Sequence, residues 1–446
     1  MRSTIDKLER KGYLLECNRQ VDYVYEMGGV LSHFNNERPM VFNKIKNNRM
    51  RAIGGVYGKR EIIYDLLGFN KENRNYKFME ALVNPMPYKV INNGPIKENI
   101  IKNNINLLDI LPINKFHEKD GSNYIAAGVL VAKDQDTGKF HTSVRRLQFL
   151  EGNKMSALFS ASPRLTNDFL EAESRNKPLE VAIVLGYDAP FLMATQYSST
   201  TYGADKFMVD SALRGQPLEL VKCETNDLLV PAYAEIVLEG RLIPGKRELE
   251  GPFGELMGYY GKQSPQPYIE VDCISYRNNP IYQVAFPCRE EHLVNGLIRE
   301  MEMYFHLKTQ IDVKDVNISV GGGARFNGYI SINKKREGEG KSAILAALGL
   351  QNHLKNVIIV DNDVDIYDLT EIEWAMATRC QSSMDVEIIK GALGTGLEPS
   401  HELRGVTDKL GIDATKPIVD EKGIFERVKI PGYEDIDINK YFPNIE

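Results

Sequence analysis

The middle of the chain, from about residue 122 to residue 300, consists of short apolar runs separated by Gly and Pro turns. Each run has the length of a β-strand, and in the last of them Ile269, Val271 and Cys273 share one face. The runs are 125–132, 179–186, 234–242 and 269–276. One stretch, 205–215, has helical spacing instead. Several short strands in succession predict a barrel-like sheet domain with a helical interruption.

The two ends of the chain show a different pattern. In the last third, apolar helical stretches at 341–350 and 371–378 flank a β-branched strand at 357–360, which predicts a small sheet covered by helices. The first 115 or so residues mix short helical patterns with apolar runs and end in LLDILPINKFHEKDG, whose proline and Asp-Gly pair suggest a boundary. We therefore expect an α/β (α+β) protein with domains at 1–115, 116–305 and 306–446.

Charge and cysteine content exclude several classes of protein. Among 446 residues, 55 are Lys or Arg and 61 are Asp or Glu, a net charge of −6 with no basic block. Such a chain lacks the electrostatic footprint of a nucleic-acid or anionic-membrane binder. Its longest apolar stretches are about half of what an integral membrane span needs. The N-terminus resembles no signal peptide, and five scattered cysteines without metal spacing predict reduced thiols in the cytoplasm.

Two segments carry residues suited to catalysis. In the first, Glu250 and Glu255 bracket the turn Gly-Pro-Phe-Gly. Two carboxylates near an arginine can have their pKa values pushed apart, so that one is ionised and the other delivers a proton. The alternative is a pair of solvated glutamates beside a hairpin, and spacing alone favours that alternative.

The second segment is HTSVRRLQ, residues 141–148. In a strand, Ser143 and Arg145 face one way while Val144 and Arg146 face the other. Arg146 would then lie on the apolar side, where a guanidinium needs a carboxylate or phosphate partner. The alternative is a sheet surface on which Arg145 is exposed and the stem of Arg146 lies along apolar neighbours.

Taken together, three segments resemble one family. ELVKCETNDLLVPAYAEIVLEG (219–240), ELEGPFGELMGYYG (248–261) and KLGIDATKP (409–417) are similar to the UbiD-like decarboxylases, carboxy-lyases that depend on prenylated flavin. The resemblance extends from about residue 120 to residue 430 and, in general layout, to the N-terminus. It implies an N-terminal α/β domain, a central split β-barrel that binds flavin and a C-terminal α/β domain for oligomerisation, with a homodimer or larger homo-oligomer as the assembly.

The resemblance also implies an activity. The family's catalytic arginine and two glutamates match Arg146, Glu250 and Glu255. Arg146 would pair with Glu250 beside the substrate carboxylate, and Glu255 would be the general acid. The implied reaction is the non-oxidative, reversible decarboxylation of an aromatic, heteroaromatic or α,β-unsaturated acid. The implied cofactor is prenylated FMN (or FMN), supplied by a flavin prenyltransferase. Further cofactor contacts are expected from Ser143, Val144, Arg145 and Lys355.

One feature departs from the family pattern. The family holds the flavin phosphate through a divalent metal such as manganese, bound by an asparagine, a histidine and a glutamate. Those positions carry His141, Arg164 and Lys206 here. Because permanent cations repel a metal, we expect no metal and a direct contact of these side chains with phosphate. The alternative is a site that has lost its ligand.

The altered positions leave two other functions open. One is a flavin- or phosphate-binding protein without decarboxylase turnover. The other is an enzyme that uses a different cofactor, or a phosphorylated substrate held by Arg164 and Lys206. The presence of Arg146, Glu250 and Glu255 together favours the decarboxylase.

Overall fold

The structure is a computed structural model that describes residues 1–134, 138–159, 163–197, 203–287, 290–401, 403 and 405–442. Side chains at 163, 164 and 291 lie outside this description.

The N-terminal region combines five short strands with five short helices. The strands are β1 (Leu15–Val21), β2 (Met40–Ile45), β3 (Arg51–Gly54), β4 (Lys89–Val90) and β5 (Asn99–Ile101). The helices are α1 (Arg2–Arg10), α2 (Glu26–His33), α3 (Arg60–Leu67), α4 (Arg74–Val83) and α5 (Leu107–Ile110). Strands β1, β2 and β3 form a mixed sheet, because β1 pairs with β2 in parallel and β2 pairs with β3 in antiparallel orientation.

The central region contains thirteen further strands in its described part. They are β6 (Tyr124–Lys133), β7 (Phe140–Phe149), β8 (Lys154–Ala157), β9 (Leu179–Leu185), β10 (Glu219–Lys222), β11 (Leu229–Pro231), β12 (Ile236–Leu242), β13 (Glu248–Glu250), β14 (Phe253–Gly254), β15 (Tyr260–Gly261), β16 (Ser264–Gln266), β17 (Tyr268–Tyr276) and β18 (Ile281–Gln283). Six of them close an antiparallel barrel in the order β12-β9-β6-β7-β8-β17, with β17 pairing back to β12. Strand β5 extends this sheet at β17, and β18 joins the N-terminal sheet beside β3.

The barrel strands are apolar on both faces because both faces are covered. Leu130 and Ile183 belong to the core inside the barrel, whereas Val129 and Val184 belong to a second core outside it. Such two-sided burial produces the continuous apolar runs seen in the sequence.

In the described part of the central region, three helices pack against the barrel or its outer core. They are α6 (Pro163–Ser174), α7 (Ala189–Gln196) and α8 (Lys206–Arg214). Helix α6 contributes Leu165 and Phe169 to the core inside the barrel. Helix α8 begins where the Asp205 side chain accepts hydrogen bonds from two backbone N–H groups and ends at Gly215, whose φ is 72°.

The C-terminal region is a five-stranded sheet with helices. Its strands are β19 (Val313–Ile318), β20 (Asn327–Ile332), β21 (Asn356–Asp361), β22 (Val386–Leu393) and β23 (Val406–Ala414). Its helices are α9 (Glu290–Lys308), α10 (Glu339–Leu350), α11 (Leu369–Arg379) and α12 (Ser382–Asp385). The strand order is β19-β20-β21-β23-β22, with β20, β21 and β23 parallel.

The regions are joined by buried ion pairs. Arg60 of α3 makes two hydrogen bonds to the fully buried Glu300 of α9, at 2.8 and 2.5 Å. Arg74 of α4 reaches Asp315 of β19. Among the described helices, none is both long and apolar enough to cross a membrane.

The predicted three-part α/β fold with a central barrel is confirmed. The interpretation in which Arg145 is exposed is wrong, since only 7% of this residue is exposed. The physical reason is that β7 is a barrel strand with no solvent face at that position.

Candidate active site

The centre of the site is Arg146 on strand β7. Its Nε donates to Glu250 Oε1 at 2.9 Å and its Nη2 to Glu250 Oε2 at 2.8 Å. Its remaining terminal nitrogen, Nη1, donates to Glu255 Oε1. The guanidinium carbon also lies 5.0 Å from the centre of the Phe253 ring. One arginine thus holds two carboxylates, and its orientation is fixed by the paired bonds to Glu250.

The turn between the two glutamates is fixed by the barrel beneath it. Gln148, two residues after Arg146 and on the same face of β7, accepts a hydrogen bond from the Gly251 N–H at 2.7 Å. The Pro252 carbonyl accepts one from the Tyr124 hydroxyl at 3.2 Å. The Gly254 N–H donates to Asp120 at 2.9 Å. These bonds place both glutamates on the arginine.

The glycines of the turn are required by space and by backbone conformation. Gly251 has a φ of 96°, in the left-handed region that side chains disfavour. At Gly254 a Cβ would lie 2.3 Å from His117 Nδ1. The sequence Gly-Pro-Phe-Gly is therefore the local condition for bringing the two carboxylates together.

The two glutamates differ in environment. Glu250 is completely buried and has both oxygens bonded to Arg146, whereas the Glu255 side chain is 21% exposed. Burial raises the pKa of Glu255 above its usual value, an effect that Arg146 opposes and Glu250 reinforces. The pKa of Arg146 is raised: burial disfavours its charge, but Glu255 and Glu250 outweigh that effect. Burial thus favours the protonated form of Glu255 more than in an ordinary glutamate.

The residues expected to contact the cofactor lie mainly on β7. Ser143 and Val144 are half-buried. Arg145 makes no hydrogen bond or ion pair with any residue that the structure describes, and burial lowers its pKa to about 10. His141 Nδ1 lies 2.5 Å from Asp168 Oδ2 on α6, within ion-pair range but not aligned for a hydrogen bond. Its Nε2 is buried without a hydrogen-bond partner among the described residues.

Lys206, the first residue of α8, points at β7. Its Nζ donates to the main-chain carbonyls of Thr142 and Thr195, both at 2.8 Å, and lies 5.6 Å from the centre of the Tyr197 ring. Arg164 lies in the first turn of α6, and its side chain is outside the described part of the structure. Lys355 contacts Glu398 and Ser400 within the C-terminal region, so the structure does not bring it to β7.

A divalent metal does not fit the residues present. Within the described ranges, no group of three or more His, Cys, Asp or Glu side chains could hold one. At Lys206, the position where the family resemblance led us to expect a glutamate ligand, the ammonium bonds to two carbonyl oxygens.

Sequence reasoning missed a group of basic side chains next to the turn, formed by His292, Arg299, Arg325 and His353. Arg325 Nη2 lies 2.9 Å from His292 Nδ1. The pKa of His292 is lowered well below its usual value by burial and by Arg325 and Arg299. Burial and the same two arginines lower the pKa of His353 to about 3. The sequence did carry one sign of this group, because Arg299 lies inside α9 among buried Leu and Ile residues.

This basic group adjoins Glu255 through Arg325. Arg325 is one of the charges that lower the pKa of Glu255. Two residues earlier, a Cβ on Gly323 would lie 2.1 Å from Leu256 Cδ1, so this loop packs directly on the segment that follows Glu255. Arg299 Nη1 is buried without a hydrogen-bond partner in the described ranges.

Family comparisons agree with this geometry. Residues 5–82, 89–290 and 292–414 match the N-terminal, Rift-related and C-terminal domains of 3-octaprenyl-4-hydroxybenzoate carboxy-lyase. The chain belongs to the UbiD family. The predicted family resemblance and the enzyme class, a carboxy-lyase, are confirmed.

Individual relatives cover nearly the whole chain. The anhydromevalonate phosphate decarboxylase of Methanothermobacter thermautotrophicus is 33% identical over 96% of this chain and 99% of its own. The phenolic acid decarboxylase of Sedimentibacter hydroxybenzoicus is 30% identical, covering 94% and 92%. HmfF of Pelotomaculum thermopropionicum, a UbiD-class enzyme solved with FMN, is 39% identical over 99% of both chains with a TM-score of 0.96. An evolved dimeric form of HmfF was solved with prFMN and has a TM-score of 0.91, with 37% identity over 99% of both chains.

Proposed function

We propose that this UbiD-family protein is a prenylated-FMN-dependent, reversible decarboxylase of a conjugated carboxylic acid. The observation that carries the proposal is the arrangement of Arg146 between the buried Glu250 and the partly exposed Glu255. A relative solved with prFMN and relatives named as decarboxylases of phenolic acids and of anhydromevalonate phosphate support it. The conjugated acid is aromatic, heteroaromatic or α,β-unsaturated.

The buried donors on β7 are the groups that we expect to bind the anionic cofactor, with His141 and Arg145 on one face of the strand and Thr142 on the other. The Thr142 hydroxyl and His141 Nε2 are buried without hydrogen-bond partners among the described residues, and Arg145 is a buried cation without a counter-ion in that same part of the chain. Buried donors need a hydrogen-bond acceptor, and a buried arginine needs an anion. Ser143, Val144 and Lys206 complete the set of residues that we expect to hold the cofactor. When bound, it would supply an electron sink for the carbon that loses carbon dioxide.

The chain's own residues have separable roles. Arg146, locked by Glu250, orients the substrate carboxylate by charge-assisted hydrogen bonds. The bond between that carboxyl carbon and the neighbouring carbon breaks, carbon dioxide leaves, and the electron pair stays on the neighbouring carbon. Glu255 then donates its proton to that carbon, and the new C–H bond completes the product. In the reverse direction Glu255 accepts the proton.

We further propose that the acid carries a second anionic group, a carboxylate or a phosphate, bound by Arg299. This arginine sits beside Arg325 at the edge of the site, and burial together with Arg325 lowers its pKa well below the usual value, an effect that Glu302 partly offsets. A bound anion would give the buried Nη1 of Arg299 the hydrogen-bond partner that it lacks among the described residues. The phosphorylated substrate named for one relative fits the same requirement.

Coexpression with a flavin prenyltransferase tests the main proposal. The purified protein should carry the absorbance of the modified flavin and should incorporate deuterium from D₂O into the decarboxylated product. A protein that takes up no flavin would instead favour the alternative of a phosphate-binding protein without decarboxylase turnover. We also propose a homo-oligomer, which sedimentation velocity would show as a mass of at least two chains.

A matched pair of substrates tests the second anionic group. The two conjugated acids differ only in a second carboxylate or a phosphate. The wild-type enzyme should have a lower KM for the acid that carries this second anionic group than for the acid that lacks it. Arg299→Leu should raise KM only for the acid with the second anionic group. Arg241→Leu, an exposed barrel position, serves as the control. An equal effect of Arg299→Leu on both acids would contradict the proposal.

A further inference from the structure

The chain holds a cation of its own where relatives of this fold are expected to hold a metal. Lys206 Nζ lies between the Thr142 carbonyl on β7 and the Thr195 carbonyl in the last turn of α7, at 2.8 Å from each oxygen. The face of Tyr197 lies nearby as well, with its ring centre 5.6 Å away. Carbonyl oxygens and an aromatic face are the surroundings that proteins offer to a bound cation.

The neighbouring groups are suited to an anion and not to a metal. His141 Nδ1 lies within ion-pair distance of the Asp168 carboxylate, and its Nε2 is buried without a partner among the described residues. The Thr142 hydroxyl is likewise buried and unpartnered in the described ranges. A metal ion needs several ligand atoms around one centre. Here the two main-chain carbonyls of Thr142 and Thr195 already accept hydrogen bonds from the Lys206 ammonium.

We infer that Lys206 permanently replaces the divalent metal, so that this protein binds the flavin phosphate without any metal ion. The inference rests on the proposed flavin-binding function. A covalently attached ammonium is present at every metal concentration, and its charge attracts the phosphate in the same way as a bound ion would. It also ties β7 to the helices α7 and α8, so the anion site is organised before the cofactor arrives.

The first experiment needs no variant. FMN is titrated into the full-length protein, by fluorescence quenching, in EDTA and again with added MnCl₂, and metal content is measured by mass spectrometry. We expect the same Kd within twofold in both conditions and no stoichiometric metal. A tenfold or greater gain in affinity with Mn²⁺, or one manganese per purified chain, would overturn the inference. No FMN binding in either condition would refute the underlying function instead.

The second experiment removes the ammonium. Lys206→Ala should weaken FMN binding by about tenfold to a hundredfold, the usual range for a hydrogen bond to a charged group. Ammonium or methylammonium ions, added at concentrations that leave the wild type unchanged, should restore much of the loss by occupying the two vacated carbonyls. Mn²⁺ should not restore it.

Lys390→Ala, an exposed lysine on β22, is the matched control and should bind FMN as the wild type does. Unchanged FMN affinity in Lys206→Ala would overturn the inference. If circular dichroism shows that this variant does not fold, the chelation and metal-content results on the wild type decide.

Discussion

Replacing Arg146 by methionine should destabilise the barrel because it leaves the buried charge of Glu250 without a partner. Glu250 is completely buried and both of its oxygens are bonded to Arg146, at 2.9 and 2.8 Å. Removing one partner of such a pair costs about 3–5 kcal/mol. In a domain of this size each kcal/mol corresponds to about 2–4 °C in Tm, so we expect a loss of about 10 °C.

The measurement is the first thermal transition of the full-length protein in a scanning calorimeter. Arg241→Met provides the matched control, since its contact with Asp272 at 3.4 Å is on the barrel exterior with both side chains well exposed. An exposed pair contributes about 0–1 kcal/mol, so Tm should barely change.

The double variant Arg146→Met, Glu250→Gln identifies the cause. Removing the unpaired charge of Glu250 should reverse more than half of the decrease in Tm seen in the single variant. A single variant that loses less than about 2 °C, or a double variant no more stable than it, would refute the reasoning.

Three further predictions concern the turn and its neighbours. Because the pKa of Glu255 is raised by burial, the protonated acid persists to higher pH than in an ordinary glutamate, and kcat for decarboxylation should fall as pH rises through that pKa. Glu255→Gln should lower kcat by about a hundredfold or more and remove this pH dependence, as stopped-flow detection of carbon dioxide would show. Gly254→Ala should lose activity and stability together, since its Cβ would be 2.3 Å from His117 Nδ1, and the loss is contradicted if activity stays within twofold. Gly323→Ala should push the loop away from Leu256, because the added Cβ would lie 2.1 Å from Leu256 Cδ1. We expect a higher KM for the acid in a steady-state assay and FMN binding within twofold of the wild type in a fluorescence titration.

The barrel could be predicted because its strands bury both faces. Continuous apolar runs such as Tyr124–Lys133 therefore stand out from the alternating pattern of a half-exposed sheet. The same property misled the interpretation of Arg145, which alternation alone allowed to be exposed. A closed barrel has an inside as well as an outside, and closure depends on the pairing of β12 with β17, which no local pattern reveals.

The contact of Arg146 with both glutamates illustrates the limit of sequence reasoning about sites. The turn chemistry of Gly251 and Gly254 is visible in the sequence, but the anchors Gln148, Tyr124 and Asp120 become neighbours of the turn only in the folded barrel. Arg299 and Arg325 come from different segments of the C-terminal region, so their proximity to each other, and that of Arg325 to Glu255, depends wholly on tertiary structure.

The position of β18 has a consequence for how the protein is made. This strand follows the barrel in sequence but forms the edge of the N-terminal sheet, pairing in parallel with β3. The N-terminal sheet therefore cannot be completed on the ribosome until residue 283 has emerged. Until then β3 presents an open edge that must be kept from pairing with other chains. An N-terminal fragment ending at residue 82, where the family's N-terminal segment stops, should for the same reason aggregate when expressed alone.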